Sequence, residues 1–324
     1  MEITNRLQKL PINKGLYLVL PNMKMPLFII PMTSKWAYKK AISLIKPKNT
    51  LGNLKKKLLA EIPFFVLKWL FTTIKLETTA QNNYSGQLVL PWNQDSNNKF
   101  TIFNFEKEQI TLLKIGFNKA SKLIDNEHRC ITLISEKGTD VIPEIKSYYK
   151  FENYSILETE FYIGNHPNSV PMGITTFFED LYKKAKKSTL KEHPYISHIQ
   201  EIVLDSFMKK ENQVMADSII DFASRFKEEL IPVVIMHGDC SMTNVIKYGD
   251  NSRIIDWEEG VIEGAPLDLI YFEFRKKIDN GEDWQINKVI DFLVVLHYFY
   301  FQIKHGNIDF LNRFEWKDKV IKLK

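Results

Sequence analysis

Three short pieces of this chain carry oxygen-bearing side chains at spacings suited to metal-assisted group transfer. The first is Val233-Val234-Ile235-Met236-His237-Gly238-Asp239-Cys240-Ser241-Met242-Thr243-Asn244-Val245-Ile246, with an Asp five residues before an Asn on a loop between apolar runs. The second, Arg253-Ile254-Ile255-Asp256-Trp257-Glu258, ends a short β-type run on another Asp. The third is Gly264-Ala265-Pro266-Leu267-Asp268-Leu269. A carboxylate at Asp239 can accept the proton that an attacking alcohol loses late in such a reaction. The amide oxygen of Asn244 and the carboxylate of Asp256 are the hard donors that Mg²⁺ prefers. Charge that builds on transferred phosphoryl oxygens is stabilised by metal and by cationic side chains.

His-Gly-Asp, an Asn five residues on, and then Ile-Asp-Trp-Glu resemble the signature of the aminoglycoside phosphotransferase/choline kinase-like superfamily. The segment from Gly264 to Leu269 is similar to that family's G-x-P-x-D-L tail. The resemblance implies an α+β, protein-kinase-like bilobal fold, with a β-rich N-lobe and a mainly helical C-lobe. It implies transfer of the γ-phosphoryl group of ATP, with Mg²⁺, to a hydroxyl of a small molecule. In that scheme Asp239 is catalytic, Asn244 and Asp256 hold the metal, His237 helps hold the loop and Asp268 buttresses it. Protein kinases read H-R-D-x-x-x-x-N and then D-F-G. Gly238 replaces that Arg, little room for an activation segment lies between Asp256 and Asp268, and no A-P-E follows. These departures favour a small-molecule kinase.

A site of this kind needs a β-rich lobe to hold the nucleotide, and residues 81–165 read that way. Strands are expected at 88–92 and 100–105, around the polar turn 93–98, and at 109–115. A helix is expected over 118–133, then two strands or a strand and hinge over 151–163. The resemblance implies that Lys114 contacts the nucleotide phosphates, that Glu127 is its ion-pair partner, and that 156–163 binds adenine. Asp125 and Glu106 are alternative partners for the lysine. The turn 93–98 has no glycine, so the residues covering the phosphates are unassigned. Over 166–324, apolar spacing at i, i+3 and i+4 predicts helices at 174–187, 199–210, 213–230, 267–277 and 284–304. In this family the acceptor sits between such helices and the catalytic loop, where Glu258, Glu259, Glu263, Glu273 or Trp284 could face it. Cys240 reads as a loop filler.

Residues 1–80 form an N-terminal extension. Proline-broken β segments at 15–21 and 25–31 precede a short helix at 37–45. Lys55-Lys56-Lys57 then leads into an apolar run over 62–74 that Pro63 and Lys68 interrupt, too short to span a bilayer. The segment is expected to be helical and to pack its aromatic face on the N-lobe. A weak contact with an anionic membrane surface through 55–74 is the alternative.

Composition frames these expectations. With 44% hydrophobic and 26% charged residues over 324 positions, the chain is an ordinary globular one, long enough for two lobes. A net charge of +5 does not point to a nucleic-acid partner. Two cysteines exclude a disulfide framework and fit a reducing cytosol, and the first 18 residues lack a secretory apolar core. The expected location is cytoplasmic, with the inner membrane face as a peripheral alternative. The favoured acceptor is a sugar or cell-envelope glycan. An aminoglycoside or choline/amino-alcohol kinase and a catalytically silent nucleotide-binding scaffold are the alternatives.

Overall fold

Apolar-rich runs at 88–92, 100–105 and 110–117, separated by polar stretches, build three strands, and Lys114 lies on the last of them. The computed structural model describes residues 7–21, 23, 26–45, 50–77, 84–92, 98–106, 109–209 and 213–307. The chain divides into two units, Met1–His128 with Pro143–Tyr162, and Arg129–Ile142 with Ile163–Lys324. One is β-rich and the other mainly helical, the α+β bilobal organisation expected.

The first unit is built on one eight-stranded sheet. Its elements are β1 (Gly15–Leu20), β2 (Phe28–Pro31), α1 (Lys35–Leu44), α2 (Thr50–Glu61), α3 (Phe64–Leu70) and β3 (Thr73–Leu76). These are followed by β4 (Gly86–Trp92), β5 (Lys99–Phe105), β6 (Ile110–Phe117), α4 (Lys119–Ser135), β7 (Ile145–Lys150) and β8 (Tyr154–Glu160). The strand order is β3-β1-β2-β4-β5-β6-β8-β7. The stretch read as an extension therefore supplies three strands of the sheet itself. The strand partnering β8 falls at 145–150, ahead of the expected 151–163, and the polar turn 93–97 lies outside the described residues.

Each face of the sheet has its own cover. Leu7, Leu10 and Ile12 lie with Val89, Ile102, Leu113 and Ile115 on one face. Side chains alternate along β6, so Lys114 points to the other. Tyr38, Ala41 and Ile42 of α1 and Leu67 of α3 pack with Leu18, Ile30, Leu88 and Phe105. Ser34 caps α1 by accepting from the Ala37 amide at 3.0 Å. At the other end, Lys56 Nζ donates to the Ser43 and Ile45 carbonyls at 2.9 and 2.7 Å. Helix α1 runs so close to β4 that a Cβ on Gly86 would stand 2.6 Å from that of Ala37.

The second unit holds α5 (Met172–Lys183), β9 (Lys187–Thr189), α6 (Pro194–Lys209), α7 (Gln213–Arg225), β10 (Leu230–Pro232) and β11 (Val234–Met236). Then come β12 (Val245–Tyr248), β13 (Asn251–Ile254), β14 (Val261–Gly264), α8 (Asp268–Asp279) and α9 (Val289–Lys304). Two expected helices are shorter than their apolar patterns because their ends pair as β9 and β10. The helix expected from 284 begins at Val289, since the Asp291 carboxylate accepts from the Asn287 and Lys288 amides, both at 2.9 Å. Helices α6 to α9 share one apolar core, in which Phe222 stacks on Phe292 at 3.7 Å. Among the described residues, no helix is long and apolar enough to cross a membrane.

Candidate active site

In the first unit, Lys114 Nζ lies 2.8 Å from both carboxylate oxygens of Glu127. Strand β6 presents the lysine and α4 the glutamate, and both are buried. A buried ion of one sign needs a partner, and the bidentate arrangement supplies it. Asp125 is engaged elsewhere, with Lys150 and Tyr148 at 2.6 and 2.8 Å and with Ser155.

In the second unit, β11 pairs with β14, and the chain leaves β11 directly into His237-Gly238-Asp239. The hairpin of β12 and β13 begins after Asn244 and ends just before Asp256, and the Ile255 amide donates to the Asn244 carbonyl at 2.9 Å. His237 ties these pieces together. Its Nε2 donates to the Ile255 carbonyl at 2.9 Å, while its Nδ1 accepts from the Asp239 amide at 3.2 Å. That pair of bonds requires the neutral ring. Trp257, fully buried, meets the imidazole edge-on at 4.6 Å.

Asp268, at the start of α8, accepts the His237 amide on both oxygens at 3.1 Å and the Gly238 amide at 3.3 Å. Burial pushes its carboxyl up to about 7 despite those two donors. Gly238 has φ +81°, and a Cβ there would stand 2.3 Å from the Glu259 carbonyl oxygen. Gly238→Ala is therefore expected to cost roughly 2 kcal/mol or more, from the left-handed backbone and the clash together. Urea unfolding measures it, and an unchanged midpoint would remove the steric argument.

Asn244 Nδ2 donates to the Asp239 backbone carbonyl at 2.8 Å and to Asp239 Oδ2 at 3.1 Å. This leaves the Asn244 amide oxygen as its free donor atom for a cation. Asp239 Oδ1 is buried and accepts no hydrogen bond. Burial pushes the Asp239 carboxyl up to about 6; Arg275 opposes the rise, and Asp256 and Glu259 add to it. Asp256 itself sits in the left-handed region, with φ 67° and ψ 57°, a conformation an aspartate tolerates better than most residues.

Two residues at this loop escaped the sequence reading. Arg275 of α8 places Nη1 3.6 Å from Asp239 Oδ1 and Nη2 3.6 Å from Asp279, and Nη1 donates to the Tyr271 hydroxyl at 3.2 Å. It lies seven residues from Asp268, two helical turns along one face, which was the available signal. His297 of α9 donates from Nε2 to the Gly238 carbonyl at 2.8 Å and accepts from the Tyr195 hydroxyl on Nδ1 at 2.6 Å. It is the lone basic residue inside the run Phe292-Leu293-Val294-Val295-Leu296-His297-Tyr298-Phe299. Of the residues considered for the acceptor, Glu259 pairs with Lys304 and His305, and Trp284 packs edge-on against Phe274.

Burial holds the His297 imidazole down at about 4; Gly238 and Glu259 pull it up, while Lys304 and Arg275 push it further down. Its neutral form is thus favoured in the folded chain. That contribution is whole above the unfolded value near 6.5 and is lost as pH falls from there towards 4. The loss amounts to about 3 kcal/mol at most. Chemical unfolding at a series of pH values should show it, and His297→Gln should flatten the slope across that window. An equal slope in the variant would assign the acid sensitivity to other groups.

No family model and no curated protein matches the sequence. Among solved structures, a spectinomycin phosphotransferase with ADP and spectinomycin is 13% identical over 66% of this chain and 73% of its own, at a TM-score of 0.40. Two aminoglycoside phosphotransferases are among the other similar solved structures. A thermostable mutant of an aminoglycoside phosphotransferase, APH(4)-Ia, is 13% identical over 68% of this chain and 89% of its own, at 0.43. An aminoglycoside phosphotransferase, APH(3'')-Id, from Streptomyces rimosus is 11% identical over 62% and 89%, at 0.39. Every one of these scores is below 0.5, so the chemistry rests on the residues above.

Proposed function

We propose that the chain is an ATP- and Mg²⁺-dependent phosphotransferase acting on a hydroxyl of a small molecule. The observation that carries this is Asp239: one carboxylate oxygen is fixed by Asn244 and the other is buried with no hydrogen bond. Arg275 Nη1 faces that oxygen from 3.6 Å, too far for a hydrogen bond. A buried acceptor without a hydrogen bond costs free energy in the resting chain, and a hydroxyl that donates to it recovers part of that cost. Asp239 would then orient the alcohol and take its proton as the oxygen attacks. The donor set fits Mg²⁺, because the Asn244 amide oxygen and the Asp256 carboxylate are oxygen ligands and Asn244 has both N–H groups directed elsewhere. When bound, Mg²⁺ would supply charge neutralisation on the phosphates. Lys114, held by Glu127, would grip the nucleotide phosphates as a point charge. His237 and Asp268 would fix the backbone that aims Asp239.

For the acceptor, the carboxylates of Asp239, Asp256, Glu258 and Glu263, with Glu259 engaged by Lys304 and His305, suit a cationic aminoglycoside or amino alcohol better than a neutral sugar. The test is Mg·ATP turnover against aminoglycosides, amino alcohols, sugars and glycan fragments, with Asp239→Asn as the blank. Turnover on one class that disappears in the variant supports the reading. Nucleotide binding without turnover on any member would favour the silent scaffold.

A further inference from the structure

The segment from Lys35 to Leu70 contains nine lysines and one glutamate, a net +8 in a chain whose total is +5. The remainder is therefore slightly acidic, and the positive charge is concentrated on the stretch from α1 to α3, with four of its lysines on α2 and α3. Helix α2 buries none of its side chains. Leu51, Leu54 and Leu58, at i, i+3 and i+7, are each more than half exposed. In α3, Leu67 is the one described side chain that is buried, while Phe65 is 71% and Trp69 89% exposed. The aromatic face expected to pack inward thus faces solvent, because the anchoring is done elsewhere. Leu67, the partly buried Leu59 and Ile62, and the bonds from Tyr38 to the Leu59 carbonyl and from Lys56 to the end of α1 hold the segment down.

Exposed large apolar side chains grouped in this way mark interaction surfaces. Lys55, Lys57 and Lys68, all exposed, flank the leucine and aromatic rows. Apolar rows bordered by lysines are the pattern of short helices lying in a lipid interface, with the lysine stems reaching up to the headgroups. We propose that α2 and α3 dock this chain on an anionic lipid surface. Leu51, Leu54, Leu58, Phe65 and Trp69 enter the headgroup region, and the three lysines meet acidic phosphates. A second copy is a poor occupant, since its own +8 segment would be repelled. A polyanion such as RNA would satisfy the lysines and leave the leucines in water.

The test is flotation of the full chain with vesicles of equal parts phosphatidylglycerol and phosphatidylcholine, and with pure phosphatidylcholine. Binding is expected on the acidic vesicles alone, falling roughly tenfold or more in high salt. Phe65→Ser with Trp69→Ser, and separately Lys55, Lys57 and Lys68→Gln, should each weaken it by at least about tenfold. These side chains are exposed and lie outside the candidate active site, so nucleotide turnover should be unchanged. Asp239→Ala should bind vesicles like the unaltered chain, which keeps this surface independent of the phosphotransferase reading. Absence of binding at low salt, equal binding to neutral vesicles, or indifference to either set of substitutions overturns the proposal. Equally tight capture of transfer RNA that the serine substitutions leave intact also overturns it.

Discussion

Replacing Asp239 by Ala is expected to lower kcat by roughly 10²- to 10⁴-fold while Mg·ATP binding persists. The geometry makes the separation clean. Asn244 holds its orientation through a second bond, to the Asp239 backbone carbonyl at 2.8 Å, which no side-chain change removes. The proposed metal ligand therefore stays in place when the carboxylate is lost. Arg275 loses a neighbour 3.6 Å away but keeps Tyr271 and Asp279. Asp239→Asn should behave like Ala in turnover, since an amide cannot take the proton. A kcat near that of the unaltered chain in either variant would remove Asp239 from the role proposed for it.

The second large effect is expected at Asp256, whose replacement should weaken Mg²⁺-dependent nucleotide binding by at least ~100-fold. The choice of substitution matters here. An alanine at φ 67° carries its own backbone cost of about 1–2 kcal/mol, so a loss in Asp256→Ala would mix strain with the missing ligand. Glycine accepts that conformation freely. Asp256→Gly removes the carboxylate and spares the backbone, and Asp256→Asn retains one oxygen. Nucleotide titrations with and without Mg²⁺ should rank the parent first, Asn next and Gly last. Unchanged Mg²⁺ dependence in the glycine variant would count against Asp256 as a ligand.

What the sequence made legible was mostly local. His237 to Asn244 lie within eight residues, so their mutual geometry follows from one loop, and that spacing could be read directly. Lys114 and Glu127 needed only a strand and the helix after it. Arg275 and His297 reach the same loop from helices that start about 30 and 50 residues later, and no spacing rule links them to Asp239. Their placement is decided by how α8 and α9 pack with α6 around Tyr271, Tyr195 and Phe299. Strands β1 and β2 were visible as extended segments, yet their membership of the main sheet depends on pairing with β3 and β4 far along the chain. The exposed side of α2 and α3 was misjudged for a similar reason: an amphipathic pattern names two faces but not which one is covered.

Strand β4 is an interior strand in this chain, with β5 on one side and β2 on the other. Cutting the chain before residue 84 to leave a minimal nucleotide lobe would strip β4 of that second neighbour. It would also take away α1, which packs against Gly86, and the Leu7 to Ile12 cover over Val89 and Ile102. The trimmed lobe would present a raw, apolar sheet margin, the kind of edge through which chains aggregate. The first quarter of the sequence is thus not an appendage that could be exchanged between proteins as a module. It is part of the lobe's architecture, and without it the margin of β4 would be left bare.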